Sequence, residues 1–187
     1  MNQKEKPVKS GDKSKKELPC HLFLIGFMGC GKSSVSLRLK RKLSADLIEM
    51  DQAIAEREGM PITEIFDRHG ETYFRDLETS FLRELKDCPP SIISCGGGVV
   101  MRPENVSVMK ELGKVVLLTA SPESIYERVK NGTDRPLLNG NMNIPHIRNL
   151  MESRQPCYEN AADIIISTDG KHLGQVCYDV LENLGLE

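Results

Sequence analysis

The chain has 187 residues, 39% hydrophobic and 28% charged, the proportions of one globular domain able to bury its own core. With 25 basic and 27 acidic residues the formal net charge is -2, so no bulk field draws it to nucleic acid or to an anionic membrane. Six cysteines, Cys20, Cys30, Cys88, Cys95, Cys157 and Cys177, lie scattered without a C-x-x-C pair, which argues for free thiols and against a zinc site.

Residues 1–17 hold six lysines and three acids, and their only apolar members are Met1, Pro7 and Val8. That is too little to bury, and a disordered basic tail is expected. The tail lacks the apolar run of about 7 to 15 residues that a secretory signal carries. The longest apolar stretch, 22–30, is far short of the ~20 residues that span a bilayer. A soluble, cytoplasmic protein is expected, with 18–187 as a single domain.

Short runs rich in Leu, Ile and Val predict five strands at 22–26, 46–50, 91–95, 114–119 and 163–167. Amphipathic stretches between them predict helices, so the class is α/β with a parallel sheet. The first helix is predicted from near Lys32, with Val35, Leu39 and Leu43 on one buried stripe and Arg38, Lys40, Arg41 and Lys42 in its last turns. Residues 51–90 read as several helices, far more than the dozen or so residues that a crossover requires, and so build something further. Residues 130–143 hold three Asn-Gly or Gly-Asn steps and one Pro, and read as a mobile loop.

After the first strand, Gly26-Phe27-Met28-Gly29-Cys30-Gly31-Lys32-Ser33 fits G-x-x-x-x-G-K-[ST] and opens the first helix. Glycines let main-chain N–H groups and the positive helix end wrap a triphosphate. Lys32 can reach the β and γ phosphates, and Ser33 can ligate Mg²⁺. A plain Gly-rich turn is the alternative. Cys30 reads as a small loop filler before it reads as a reactive thiol.

Further along, Glu49 and Asp51 end the second predicted strand, where a period of two turns both carboxylates to one face. One can hold water of a Mg²⁺ shell and the other can orient an attacking hydroxyl. An acidic strand end with Asp51 as an N-cap is the simpler reading. Arg75 and Glu78 are three apart on a predicted helix, where a surface pair is favoured. Gly96-Gly97-Gly98 follows the third strand, at the sheet edge where α/β folds place ligands. Arg135 precedes Pro136 in the loop at 130–143, and Arg154 stands before Pro156, which predicts a helix end there. Taken singly, both arginines read as solvated charges. Two inward arginines would suit a carboxylate.

Together the 26–33 loop, Glu49-Met50-Asp51, Phe74-Arg75-Asp76-Leu77-Glu78, Gly96-Gly97-Gly98, Arg135-Pro136-Leu137-Leu138, and Arg154 with Tyr158 resemble shikimate kinase, a compact relative of the nucleoside monophosphate kinases. The resemblance implies a P-loop fold with a five-stranded parallel sheet in the order 2-3-1-4-5, an acceptor-binding insertion at 51–90 and a lid at 128–143. It implies phosphorylation of shikimate by ATP with Mg²⁺, giving shikimate 3-phosphate and ADP in chorismate and aromatic amino-acid biosynthesis. It assigns Gly29, Cys30, Gly31, Lys32, Ser33, Ser34, Arg128 and Arg135 to the nucleotide, and Asp51, Arg75, Gly96, Gly97, Gly98 and Arg154 to shikimate. Lys32, Asp51 and Arg135 are implied in catalysis, with Ser33 on the metal and Glu49 reaching it through water. The family usually shows Asp-x-Asp where this chain has Glu49-x-Asp51. A monomer is expected. Two alternatives stay open: a related kinase for gluconate or a nucleoside monophosphate, which would need a different acceptor pocket, and a non-catalytic ATP-binding module, which would have no use for Lys32, Ser33, Asp51 and Arg135 together.

Overall fold

A computed structural model describes residues 16–130 and 142–187. In chain order these form β1 (Lys16–Glu17), β2 (His21–Ile25), α1 (Lys32–Lys42), β3 (Leu43–Ser44), β4 (Asp46–Glu49), α2 (Met50–Glu58), α3 (Ile62–Glu84), β5 (Ser91–Ser94), α4 (Pro103–Leu112), β6 (Gly113–Thr119), α5 (Pro122–Val129), α6 (Ile144–Ala161), β7 (Ile164–Ser167) and α7 (Leu173–Asn183). One parallel sheet runs β4-β5-β2-β6-β7, which is the expected order counted over the five predicted strands.

Strand composition explains each strand's place in the sheet. β2, apolar after His21, is buried at every position and takes the centre. Its side chains alternate between two cores. Leu22 and Leu24 pack with Val35 and Leu39 of α1 and with Val176 and Val180 of α7, whereas Phe23 and Ile25 pack with Ile54 of α2, Phe81 of α3 and Met109 of α4. A run apolar at consecutive positions is what a strand covered on both faces requires. β7 lies at an edge, where Ile165 is 56% exposed. Among the described residues no helix is long and apolar enough to cross a membrane.

Three expectations are corrected. Lys16 and Glu17, assigned to the tail, pair in parallel with Leu43 and Ser44, because the buried Leu18 anchors the chain beside the end of α1; the rest of the tail lies outside the described residues. β4 stops at Glu49, so Asp51 belongs to the first turn of α2 rather than to a strand. α6 continues through Pro156 to Ala161. The proline ring removes the donor to the Glu152 carbonyl, but both residues are on the exposed side of the helix, where water can replace it. The long segment between β4 and β5 is helical as predicted, and Gly70 (φ 80°, ψ 172°) breaks α3 into two arms.

Candidate active site

At the C-terminal edge of the sheet a cleft of about 960 Å³ opens between the 26–33 loop, the start of α2, α3, the glycines after β5, and α6. Gly26 leaves β2 with φ 137°, and a Cβ there would collide with the Leu118 carbonyl. Only glycine fits that turn. Side chains cap α5, α6 and α7 through Ser121, Asn143 and His172. α1 has no side-chain cap; it begins after Gly31 (φ 103°), leaving its first amides toward the cleft. Gly29, Gly31, Lys32, Ser33 and Ser34 all line the cavity.

Lys32 Nζ donates to the carbonyls of Gly26 (2.8 Å) and Phe27 (3.2 Å), so the loop folds around its own cation. Ser33 Oγ donates to Glu49 Oε2 and Ser36 Oγ to Glu49 Oε1, each at 3.2 Å. Hydroxyl and carboxylate oxygens so paired, few and hard, suit Mg²⁺, which keeps most of its own water. Cys30 turns away: it is 1% exposed and fills the space beneath Gly26.

Glu49 and Asp51 both line the cleft but serve different neighbours. Glu49 occupies the N-cap position of α2 and faces α1, whereas Asp51, one turn-step further round, faces Gly96. A Cβ on Gly96 would collide with Asp51 Oδ1 and lie 3.0 Å from Glu78 Oε1, so the absent side chain makes room for two carboxylates. Asp51 is open to the cleft yet walled by protein elsewhere. That enclosure raises its pKa, Lys32 and Arg75 pull it down, and Glu49 adds to the rise.

Arg75 and Glu78 are no surface pair. Glu78 is fully buried and Arg75 is 8% exposed. Nη1 of Arg75 donates to Glu78 Oε2 at 2.7 Å, while Nε and Nη2 donate to Glu71 Oε1 at 3.2 and 2.8 Å. The guanidinium lies flat over Gly98, where a Cβ would land on it. Burial pushes the Glu78 carboxyl up to about 7, with Arg75 pulling against the rise. Glu78 Oε1 has no hydrogen-bond partner among the described residues.

Arg154, on α6, lines the cleft one helical turn before Tyr158, whose hydroxyl donates to the Gly97 carbonyl. Arg128, at the end of α5, donates to Gly29 O (3.2 Å) and Thr168 Oγ1 (3.0 Å) across the far side of the loop. Arg135, and with it most of the expected lid, lies outside the described residues. Every other predicted site residue except Cys30 lines this one cavity.

Sequence reasoning left Glu78 out of the site, and it left out the apolar wall of Met28, Ile62, Phe66 and Phe74. Helical phase carried the signal for Glu78: position 78 is four from Phe74 and from Leu82, both buried, so it falls on the inward face of α3.

The family model described as "Shikimate kinase" matches residues 28–185. A shikimate kinase of Dehalococcoides mccartyi is 44% identical over 164 residues, covering 88% of this chain and 93% of that protein. Among solved structures, the shikimate kinase of Acinetobacter baumannii in complex with shikimate superposes with a TM-score of 0.83 at 29% identity, covering 88% of this chain and 92% of that one. The shikimate kinase of Aquifex aeolicus gives a TM-score of 0.76 at 36% identity, covering 88% and 96%.

Proposed function

The chain belongs to the shikimate kinase family, and we propose that it performs that family's reaction, transfer of the γ-phosphoryl group of ATP to a hydroxyl of shikimate, with the roles divided as follows. The observation that carries the division is the single cleft in which Lys32, Ser33, Asp51, Arg75 and Arg154 meet.

The 26–33 loop and the first amides of α1 hold the triphosphate, and Lys32 turns its ammonium from the loop carbonyls to the β and γ phosphates. Ser33, with Glu49 beside it, would hold Mg²⁺, which supplies positive charge to the transferring group when bound. Arg128 covers the nucleotide side. Asp51 accepts a hydrogen bond from the acceptor hydroxyl and aims its oxygen at the γ-phosphorus; an O–P bond forms, the bond to the ADP oxygen breaks, and the hydroxyl proton passes toward Asp51. The raised pKa of Asp51 suits such an acceptor better than an ordinary aspartate would. Arg135 is assigned to the transferring phosphoryl by the motif around it.

Arg75 offers five N–H donors, of which, among the described residues, Glu71 and Glu78 engage three, leaving one on each terminal nitrogen. That remaining pair fits the acceptor's carboxylate end-on, and Arg154 approaches it from α6. Phe66, Phe74 and Ile62 face the carbocycle. A monomer working in the cytoplasm is part of the same proposal.

The test is an ADP-release assay with shikimate, quinate, gluconate and nucleoside monophosphates as acceptors. Shikimate is expected to be turned over with by far the highest kcat/KM. Faster turnover of gluconate or of a monophosphate would overturn the acceptor reading.

A further inference from the structure

Tyr158 has no role in the division above, yet it sits where the two halves of the cleft meet. Its ring belongs to the core that also holds Cys95 and Val99, and the residue is 5% exposed. Packing alone would be served by phenylalanine. The hydroxyl, however, reaches Gly97 of the cleft wall and donates to its carbonyl. Gly97 in turn lies against the phosphate loop: a Cβ on it would be 3.8 Å from the Tyr158 hydroxyl, 3.9 Å from Gly26 O and 3.9 Å from Met28 N.

Arg154 is four residues before Tyr158, hence one turn away on the same face of α6, and it lines the same cavity as Gly97. A phenol has one hydrogen to give and lone pairs to receive, so a hydroxyl already donating to Gly97 can accept from a guanidinium. Burial raises the Tyr158 pKa and the charge of Arg154 pulls against it, which agrees with the guanidinium facing this oxygen; the phenol stays protonated and keeps donating.

We propose that Tyr158 is a positioning residue whose hydroxyl, donating to the Gly97 carbonyl and accepting from Arg154, holds that arginine against the glycine wall in readiness for the acceptor's carboxylate. An arginine side chain gives up rotamer freedom when fixed, so holding it in advance transfers that loss from binding to folding. The inference rests on the reading of Arg154 as a carboxylate ligand.

Tyr158→Phe, Arg154→Ala and the double variant separate the two claims. Tyr158→Phe is expected to raise KM for shikimate about tenfold while kcat and KM for ATP stay within about twofold. Arg154→Ala should raise KM further, and the double variant should match Arg154→Ala alone, because the tyrosine acts through the arginine. If Arg154→Ala leaves KM for shikimate unchanged, the carboxylate reading itself fails. If Arg154→Ala raises it but Tyr158→Phe does not, or if the two effects multiply in the double variant, the tyrosine inference alone is overturned. Equal weakening of both substrates by Tyr158→Phe would make the hydroxyl a purely structural contact and would also overturn it.

Discussion

The side of this cleft proposed to hold the nucleotide and the side proposed to hold the acceptor are built in opposite ways. The nucleotide side is built chiefly on one stretch of chain: residues 26–34 form the loop and the first turn of α1, and Lys32 closes the loop on its own carbonyls, with Glu49 and Arg128 added from outside. The acceptor side has no local continuity. Asp51 comes from α2, Arg75 and Glu78 from α3, Gly96 to Gly98 from the turn after β5, and Arg154 and Tyr158 from α6. The first needs only a strand, a turn and a helix in sequence, whereas the second exists only once the strand order β4-β5-β2-β6 has brought four segments to one sheet edge. On the proposed division, the nucleotide side is therefore general to a fold, and the acceptor side is where a particular substrate is specified.

The difference can be broken experimentally. Asp51→Asn should lower kcat by about 10² to 10⁴ while KM for ATP stays within about twofold, measured by steady-state ADP release. A parallel loss of ATP affinity would mean that the two sides are not separable. Arg75→Ala should raise KM for shikimate by roughly 10- to 100-fold, the loss of a charge-assisted contact together with an orphaned, buried Glu78. An unchanged KM would remove Arg75 from the acceptor. Gly98→Ala sharpens the comparison without touching any charge. The new methyl must displace a guanidinium held on both flanks by Glu71 and Glu78, so KM for shikimate should rise about tenfold and stability fall by about 1–3 kcal/mol, with ADP binding by calorimetry unaffected. Wild-type shikimate kinetics in that variant would show that Arg75 is free to move.

The same contrast decides what could be read before folding. The five main strands, α1 and the phosphate loop follow from apolar runs, glycine placement and spacing, all of them local. The acceptor side was legible only as a set of motifs, because no spacing in the chain says that Gly98 lies under Arg75 or that Gly96 leaves room for Asp51 and Glu78. Asp51 was expected on a strand because Leu47 and Ile48 continue an apolar run, yet the chain turns into α2 directly after Glu49. Pro156 was read as a helix end, which holds for a buried ladder and not for an exposed flank where water accepts the loss. The short β1–β3 pair, two residues a side, is below what periodicity can register.

The remaining effect is on stability rather than on turnover, and concerns Glu78, the buried carboxylate of the acceptor side. Its pKa rises from an ordinary 4.5 to about 7 in the folded chain, chiefly through burial. Below about 4.5 both folded and unfolded forms hold the proton, and well above 7 both have lost it. Between these limits the folded form retains a proton that the unfolded form has released, so this group's contribution to stability is fully present at low pH and is lost as pH rises toward and through 7. At about 1.4 kcal/mol per pH unit the loss is on the order of 3 kcal/mol at most. Gln at 78 offers Arg75 a carbonyl oxygen and does not titrate. Urea unfolding of wild type and Glu78→Gln at pH 5 and pH 8 isolates the effect, since every other group is common to both. The wild type should lose stability relative to the variant between the two pH values. A difference identical at both would mean that the carboxylate is already ionised at pH 5, with its pairing to Arg75 outweighing its burial.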